Sequence, residues 1–175
     1  MTAGSTSLIG VVFTIPRPWG DELAAWRRAF GDPLADAVPP HVTLLPPTPV
    51  PGEELPAAEE HLRKVAERST PFDVHLRGTG TFRPITPVVF VHLAAGIGGC
   101  ERVEQLVRSG PLSRELEFPY HPHVTVAHEL PDDVLDRAYA ELASYEARFL
   151  VEGFSLYEHL DGVWQPLRDF AFGVG

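Results

Sequence analysis

Pro40-His41-Val42-Thr43-Leu44 is one of two near-copies in this chain; eighty-two positions later it reads Pro122-His123-Val124-Thr125-Val126. The tetrapeptide Pro-His-Val-Thr is identical, and an aliphatic residue follows each copy. With eight His and ten Thr in 175 residues, about half an H-x-T arises by chance, so a single copy would carry little weight. The repeated tetrapeptide carries far more. In a strand, residues i and i+2 share a face. His41 and Thr43 then project together, as do His123 and Thr125, while Val42, Leu44, Val124 and Val126 turn to a core.

Outward from these two segments the chain reads as a duplicated α+β array. Leu8 to Ile15 is a short apolar run ending at Pro16, which predicts a buried strand. A helix is expected over Asp21 to Phe30, with Leu23, Trp26, Arg27 and Phe30 at helical spacing and Gly31 as its stop. The first motif strand runs from His41 to Leu45, closed by Pro46-Pro47. Gly52 to Arg68 carries the stripe Leu55, Ala58, Leu62, Val65 and Ala66 of an amphipathic helix. Phe72 to Phe82 alternates and then meets Gly78 and Gly80, marks of a bulge. Arg83-Pro84-Ile85-Thr86-Pro87 is the expected junction between halves.

The second half repeats the order. Val88 to Leu93 is a strand, Gly98 to Ser109 a helix stopped by Gly110-Pro111, and His123 to Ala127 the second motif strand. Pro131 suits the first position of a helix whose buried side is Val134, Leu135, Ala138 and Leu142. A strand is expected over Arg148 to Tyr157. Asp161-Gly162 is a hairpin turn into a last strand, Val163 to Phe172. The halves, 8–82 and 88–172, predict one bilobal domain spanning 1–175, with the two H-x-T pairs on opposite walls of a cleft.

Composition bounds the rest. Apolar residues are 44% of the chain, enough for a core. No apolar run approaches the roughly 18 residues of a membrane span, and Met1 to Ser7 lacks the basic and apolar regions of a secretory leader. The single Cys100 excludes an internal disulfide and any multi-cysteine metal site, and is expected buried and inert. Cytoplasm and a monomer are the default expectations. A net charge of −10 with one Lys, Lys64, disfavours long nucleic acid as the main partner, with an RNA end left open. It leaves room for a small phosphate ester in a local pocket.

Two histidines across a cleft form an acid–base pair. With an ordinary pKa of about 6.5, one can be neutral and the other protonated near neutrality. In-line displacement at phosphorus needs a base on one side and an acid on the other. The Thr hydroxyls would donate to the non-bridging oxygens. This scheme calls for no metal and no cofactor.

The paired His-x-Thr-aliphatic motifs resemble the 2H phosphoesterase superfamily, in particular its 2′-5′ RNA ligase-like branch. The likeness covers nearly the whole chain, through the closing hairpin Phe154-x-Leu156-Tyr157 and Trp164-x-Pro166-Leu167. It implies a bilobal α+β fold of two pseudo-symmetric lobes, each an antiparallel sheet with flanking helices, around a central cleft. It implies metal-independent cleavage of 2′,3′-cyclic or 2′-5′ phosphodiesters, with reversible RNA ligation in some members. By position it makes His41 and His123 catalytic and Thr43 and Thr125 phosphate-binding.

Other candidates have plainer alternatives. Tyr120, Phe82, Tyr157 and Trp164 offer faces for a nucleobase, or simply pack the core and rim. Arg83 is a phosphate contact or a solvated turn arginine. His121, two residues before His123, is a loop histidine near the cleft, with a two-imidazole metal chelate as the less favoured reading. His61, His75, His92, His128 and His159 are expected at surfaces or element ends. An RNA 2′-5′ ligase or RNA-end enzyme, a non-catalytic phosphate-binding module, and a structural protein with a closed dry cleft are the alternatives to a small-ester phosphodiesterase.

Overall fold

A computed structural model describes residues 4–173. The expectation of no leader rests partly on Met1 to Ala3, which lie outside the described residues. Among those described, no helix is long and apolar enough to cross a membrane.

Among the described residues, eight strands and four α-helices follow in the order β1 (Thr6–Thr14), α1 (Trp19–Ala29), β2 (His41–Pro51), α2 (Leu55–Arg68), β3 (Phe72–Thr81), β4 (Val88–Ala95), α3 (Ile97–Val107), β5 (His123–His128), α4 (Asp132–Glu141), β6 (Glu146–Val151), β7 (Gly153–Leu160) and β8 (Val163–Ala171). They form two antiparallel four-stranded sheets, β2-β1-β7-β8 and β5-β4-β3-β6. Each sheet places its motif strand at an edge with the strand that opens its half beside it.

Sheet membership does not follow the halves of the sequence. β3 leaves the first half and pairs with β4 and β6 in the second sheet. The two similar segments Phe72-x-Val74 and Phe149-x-Val151 become neighbours, with Phe72 opposite Val151 and Val74 opposite Phe149. Residues 83–87, expected to join the halves, are the turn of a β3–β4 hairpin inside one sheet. The single strand expected over Arg148 to Tyr157 is two, β6 in one sheet and β7 in the other. The handover falls at Glu152-Gly153, where a side chain has no room: a Cβ on Gly153 would stand 2.3 Å from the Phe170 carbonyl oxygen.

The prolines give a second correction. Pro46-Pro47 does not close the first motif strand, which continues to Pro51. β2 is an edge strand, so a missing N–H on its open side costs no ladder bond, and register shifts between Ile9 and Val12 of β1 absorb the irregularity. Other expectations hold. The ladder slips between Leu76 and Thr79, around Gly78 with its φ of 78°. Asp161 and Gly162, both at positive φ, turn β7 into β8. Pro131, expected as the first helical residue of α4, instead stands one place before it in extended backbone, and the helix begins at Asp132.

One apolar cluster runs through both sheets and all four helices. Phe72 of β3 ties the sheets together, with its ring 6.3 Å from Phe13 of β1 and 6.3 Å from Phe172. The helices cross over as well: α1 packs against β5, α3 packs against β2, and the edge strands β2 and β5 touch. Each motif strand is therefore braced by an element from the other half. Gly153→Ala must force β7 and β8 apart at the base of their hairpin, and we expect a loss of about 1–3 kcal/mol, the usual range for overpacking. A lowered denaturant midpoint at unchanged slope would register it.

Candidate active site

His41 and His123 are the first residues of their strands. Val42, Leu44, Val124 and Val126 are at most 1% exposed, which fixes the pleat. The half-buried His41 and Thr43, and likewise His123 and Thr125, take the opposite face.

Both imidazoles are held in the same way. His41 Nδ1–H donates to the Pro39 carbonyl at 2.8 Å, and His123 Nδ1–H to the His121 carbonyl at 2.6 Å. A carbonyl only accepts, so each Nδ1 carries the proton and Nε2 is left free. The residue before a proline is steered to extended backbone. Pro40 and Pro122 thereby set the carbonyl two places before each His.

Burial is the main influence on both rings. It lowers the pKa of His41 to about 4, opposed by the Pro39 hydrogen bond and reinforced by the charges of Arg27 and His123. It lowers that of His123 too, opposed by the His121 carbonyl and helped by the His121 side chain. The effect of His123 on His41 means that the two rings sense each other.

Two cavities meet at Thr43. One, of about 530 Å³, is lined by His123, His121, Tyr120 and Phe82, with Ile85, Leu116 and Phe118 as apolar wall. The other, of about 360 Å³, is lined by His41, Thr125, Tyr157, Trp164, His128 and Arg27. Nine of the ten residues singled out from the sequence thus line one or other of these two cavities, His123 the first and His41 the second, with Thr43 common to both. Arg83 does not. Its guanidinium reaches Asp136 at 2.9 Å and Thr81 Oγ1 at 3.2 Å, turned toward α4, because the hairpin it occupies lies beside that helix's acidic first turns.

Several roles are more specific than the sequence suggested. Tyr120 Oη–H donates to the Thr43 carbonyl at 2.7 Å, tying the loop before β5 to β2; burial raises its pKa. Phe82 meets His123 edge to face at 4.9 Å, and Phe90 flanks the same ring at 5.2 Å. His92 and His121 stand 6.4 Å apart beside it. Among the described residues, no group of three or more His, Cys, Asp or Glu is placed to hold a metal ion. Cys100 is buried, its thiol pushed up to about 12 by burial.

Sequence reasoning missed Arg27, Arg114 and His128 as cavity residues. Arg27 left a signal, a charge at helical spacing with Leu23, Trp26 and Phe30. Arg114, whose Nη1 bonds the Pro47 carbonyl and Thr48 Oγ1 across the join, left none in its irregular loop.

Comparison with known proteins agrees with the fold. A family profile described as the 2′-5′ RNA ligase superfamily matches residues 15–163. A Bacillus cytotoxicus protein named as a presumptive phosphoesterase is 28% identical over 178 residues, covering 95% of this chain and 98% of its own. One from Oceanobacillus iheyensis with the same kind of name is 28% identical over 147 residues, covering 81% of this chain and 78% of its own. The crystal structure of a phosphoesterase superposes with a TM-score of 0.73 at 19% identity over 97% of this chain and all of that one. Escherichia coli LigT complexed with 3′-AMP superposes at 0.68 and 21% identity, with the same coverage. Two four-stranded antiparallel sheets with flanking helices are thus the LigT-like α+β fold. The chain belongs to the 2′-5′ RNA ligase superfamily of two-histidine phosphoesterases.

Both lowered histidine pKa values predict a pH-dependent stability. Between about 6.5, the unfolded value, and the lower folded values, the unfolded chain binds more protons, so stability falls as pH falls through that window. Denaturation midpoints between pH 7 and pH 4 should show the fall, and a folded His41→Asn variant should show less of it. Proton NMR should place the His41 titration near 4.

Proposed function

We propose that the protein is a metal-independent phosphodiesterase acting on a small nucleotide ester, 2′,3′-cyclic or 2′-5′-linked. The observation that carries this reading is the matched pair of imidazoles, each tied through Nδ1 to a backbone carbonyl two residues back, on two cavities that share Thr43 in their linings.

The chemistry follows from that pair. A neutral His takes a proton from the attacking water through Nε2, and the second His, as imidazolium, gives one to the leaving ribose oxygen. The hydroxyls of Thr43 and Thr125 donate to the non-bridging oxygens, where charge gathers in the transition state. Opening a 2′,3′-cyclic ester in this way leaves a phosphomonoester. His41, the more strongly depressed of the two, is assigned as base, and His123 as acid. In the free protein both favour the neutral form; the negative charge of a bound diester favours the imidazolium the reaction requires.

Support for a nucleotide comes from the aromatic lining, with Phe82 and Tyr120 on one side of Thr43 and Tyr157 and Trp164 on the other. It comes also from a protein of the same fold: E. coli LigT is known in crystal structures complexed with 3′-AMP, NADP+ and ATP. The larger cavity's ordinary charges are Arg114, Glu104 and Glu117, a mixed rim rather than a basic strip. That balance favours a small ester over long RNA.

Turnover of a panel of 2′,3′-cyclic and 2′-5′-linked nucleotides tests the reading. His41→Ala and His123→Ala should each lower kcat by about 10²–10⁴, and loss of either Thr hydroxyl by about 10²–10³. A His123→Ala variant with full activity would overturn it. Activity should persist in EDTA, since each proton and charge is handled by a side chain; loss of turnover restored by a divalent ion would contradict this. The kcat/KM profile should be bell-shaped with its maximum below pH 6.5, because both free-protein pKa values lie below the ordinary one. A rate rising steadily with pH would exclude the two-histidine scheme.

A further inference from the structure

Arg27 lies on α1 and is only 7% exposed. Its Nε donates to Asp32 Oδ2 at 2.7 Å. Asp32 is itself locked, its other oxygen accepting the Leu34 N–H at 2.9 Å. The guanidinium is therefore fixed from behind by one edge.

Its other edge is open. Neither Nη1 nor Nη2 has a hydrogen-bond partner among the described residues. Yet no side-chain nitrogen of those residues is sealed from solvent without a partner. The two Nη groups must then meet open space. The cavity Arg27 lines at His41, Thr43 and Thr125 supplies it.

Among the described residues, no other Arg or Lys and no Asp or Glu lines that cavity. A fork of N–H donors facing a space without carboxylates suits a tetrahedral oxyanion. We propose that Arg27 is a phosphate-binding residue of the reaction centre, its free Nη edge gripping a non-bridging oxygen of the substrate's phosphate beside His41 and the two threonines. The proposal rests on the phosphodiesterase reading for the identity of that phosphate.

The site needs such a group. With both histidines depressed toward neutrality, Thr hydroxyls alone would face a monoanionic diester. A held guanidinium, its net charge balanced from behind by Asp32, offers polarised N–H donors there without moving during the reaction. It also explains why Arg27 is among the groups that hold down His41. One residue thus binds the anion and keeps the proposed base free of its proton.

The test uses two variants and two readouts. Arg27→Gln combined with Asp32→Asn removes both buried charges while keeping groups able to hydrogen-bond. Arg27→Lys keeps the charge and the Asp32 partner but loses the fork. Inorganic phosphate is titrated into each by calorimetry, and turnover is followed on adenosine 2′,3′-cyclic phosphate across pH. The double variant should bind phosphate at least about tenfold more weakly, the scale of one charge-assisted hydrogen bond, and lose about 10²–10³ in kcat/KM. The acidic limb of its profile should move to higher pH, since His41 loses a positive neighbour; a purely structural role would not move it. Arg27→Lys should fall between parent and double variant. If the double variant does not melt cooperatively, Arg27→Lys decides alone. A folded variant with the parent's phosphate affinity and pH profile overturns the proposal. Arg27-dependent phosphate binding in a parent that cleaves no ester would uphold it and overturn the phosphodiesterase reading instead.

Discussion

A single hydrogen bond, made twice, sets the geometry of the site: imidazole Nδ1–H to the carbonyl two residues earlier. It fixes the tautomer, stops the ring from flipping and leaves Nε2 without a hydrogen-bond partner among the described residues. It also needs a particular backbone. The chain must be extended before the proline and already in its strand at the histidine, so that one carbonyl bends back under the ring. Pro40 and Pro122 supply the first condition, the buried valines 42 and 124 the second. The tetrapeptide is short because these local requirements are complete within it.

The second constraint is global. Two such strands are useful only if they stand edge to edge, and an edge strand is ordinarily a liability. Here β2 and β5 sit at the edges of separate sheets, touch each other, and are each covered by a helix of the opposite half. β3 crosses over, and the β7–β8 hairpin returns to the first sheet. The lobes are laced rather than merely juxtaposed, and Phe72 continues the lacing through the core. A seam built in this way can keep a cleft open while holding its walls still, which positions donors without reorganisation.

What the sequence made legible follows from the range of the forces involved. The alternation of His41 and Thr43 against Val42 and Leu44, the helical stripes and the Asp161-Gly162 turn all depend on near neighbours, and they were readable. Pro46-Pro47 misled because a proline's cost depends on whether its strand is at an edge, which pairing decides. The Arg148 to Tyr157 run misled because both sheets favour the same residue types; only the carbonyl of Phe170 pressing on Gly153 shows where one strand ends. Arg83 and Arg27 exchanged expectations for a similar reason. An arginine in a turn looks free until α4 places Asp136 beside it. An arginine on an apolar helix face looks structural until the cavity next to it is seen.

The charge distribution gives these pieces a common sense. Net charge acts at a distance, and −10 on a small surface repels a long polyanion at the encounter stage. A guanidinium buried beside a cleft acts at contact, in a medium less polarisable than water, where a single pair of charges interacts more strongly. The first effect weakens as salt screens it; the second is screened much less. On the proposed reading, a net-acidic chain would disfavour long nucleic acid while the free edge of Arg27 holds one small phosphate. On that proposal, the larger the polyanion, the more of it would lie against the exterior, and selection would be by size as well as by charge.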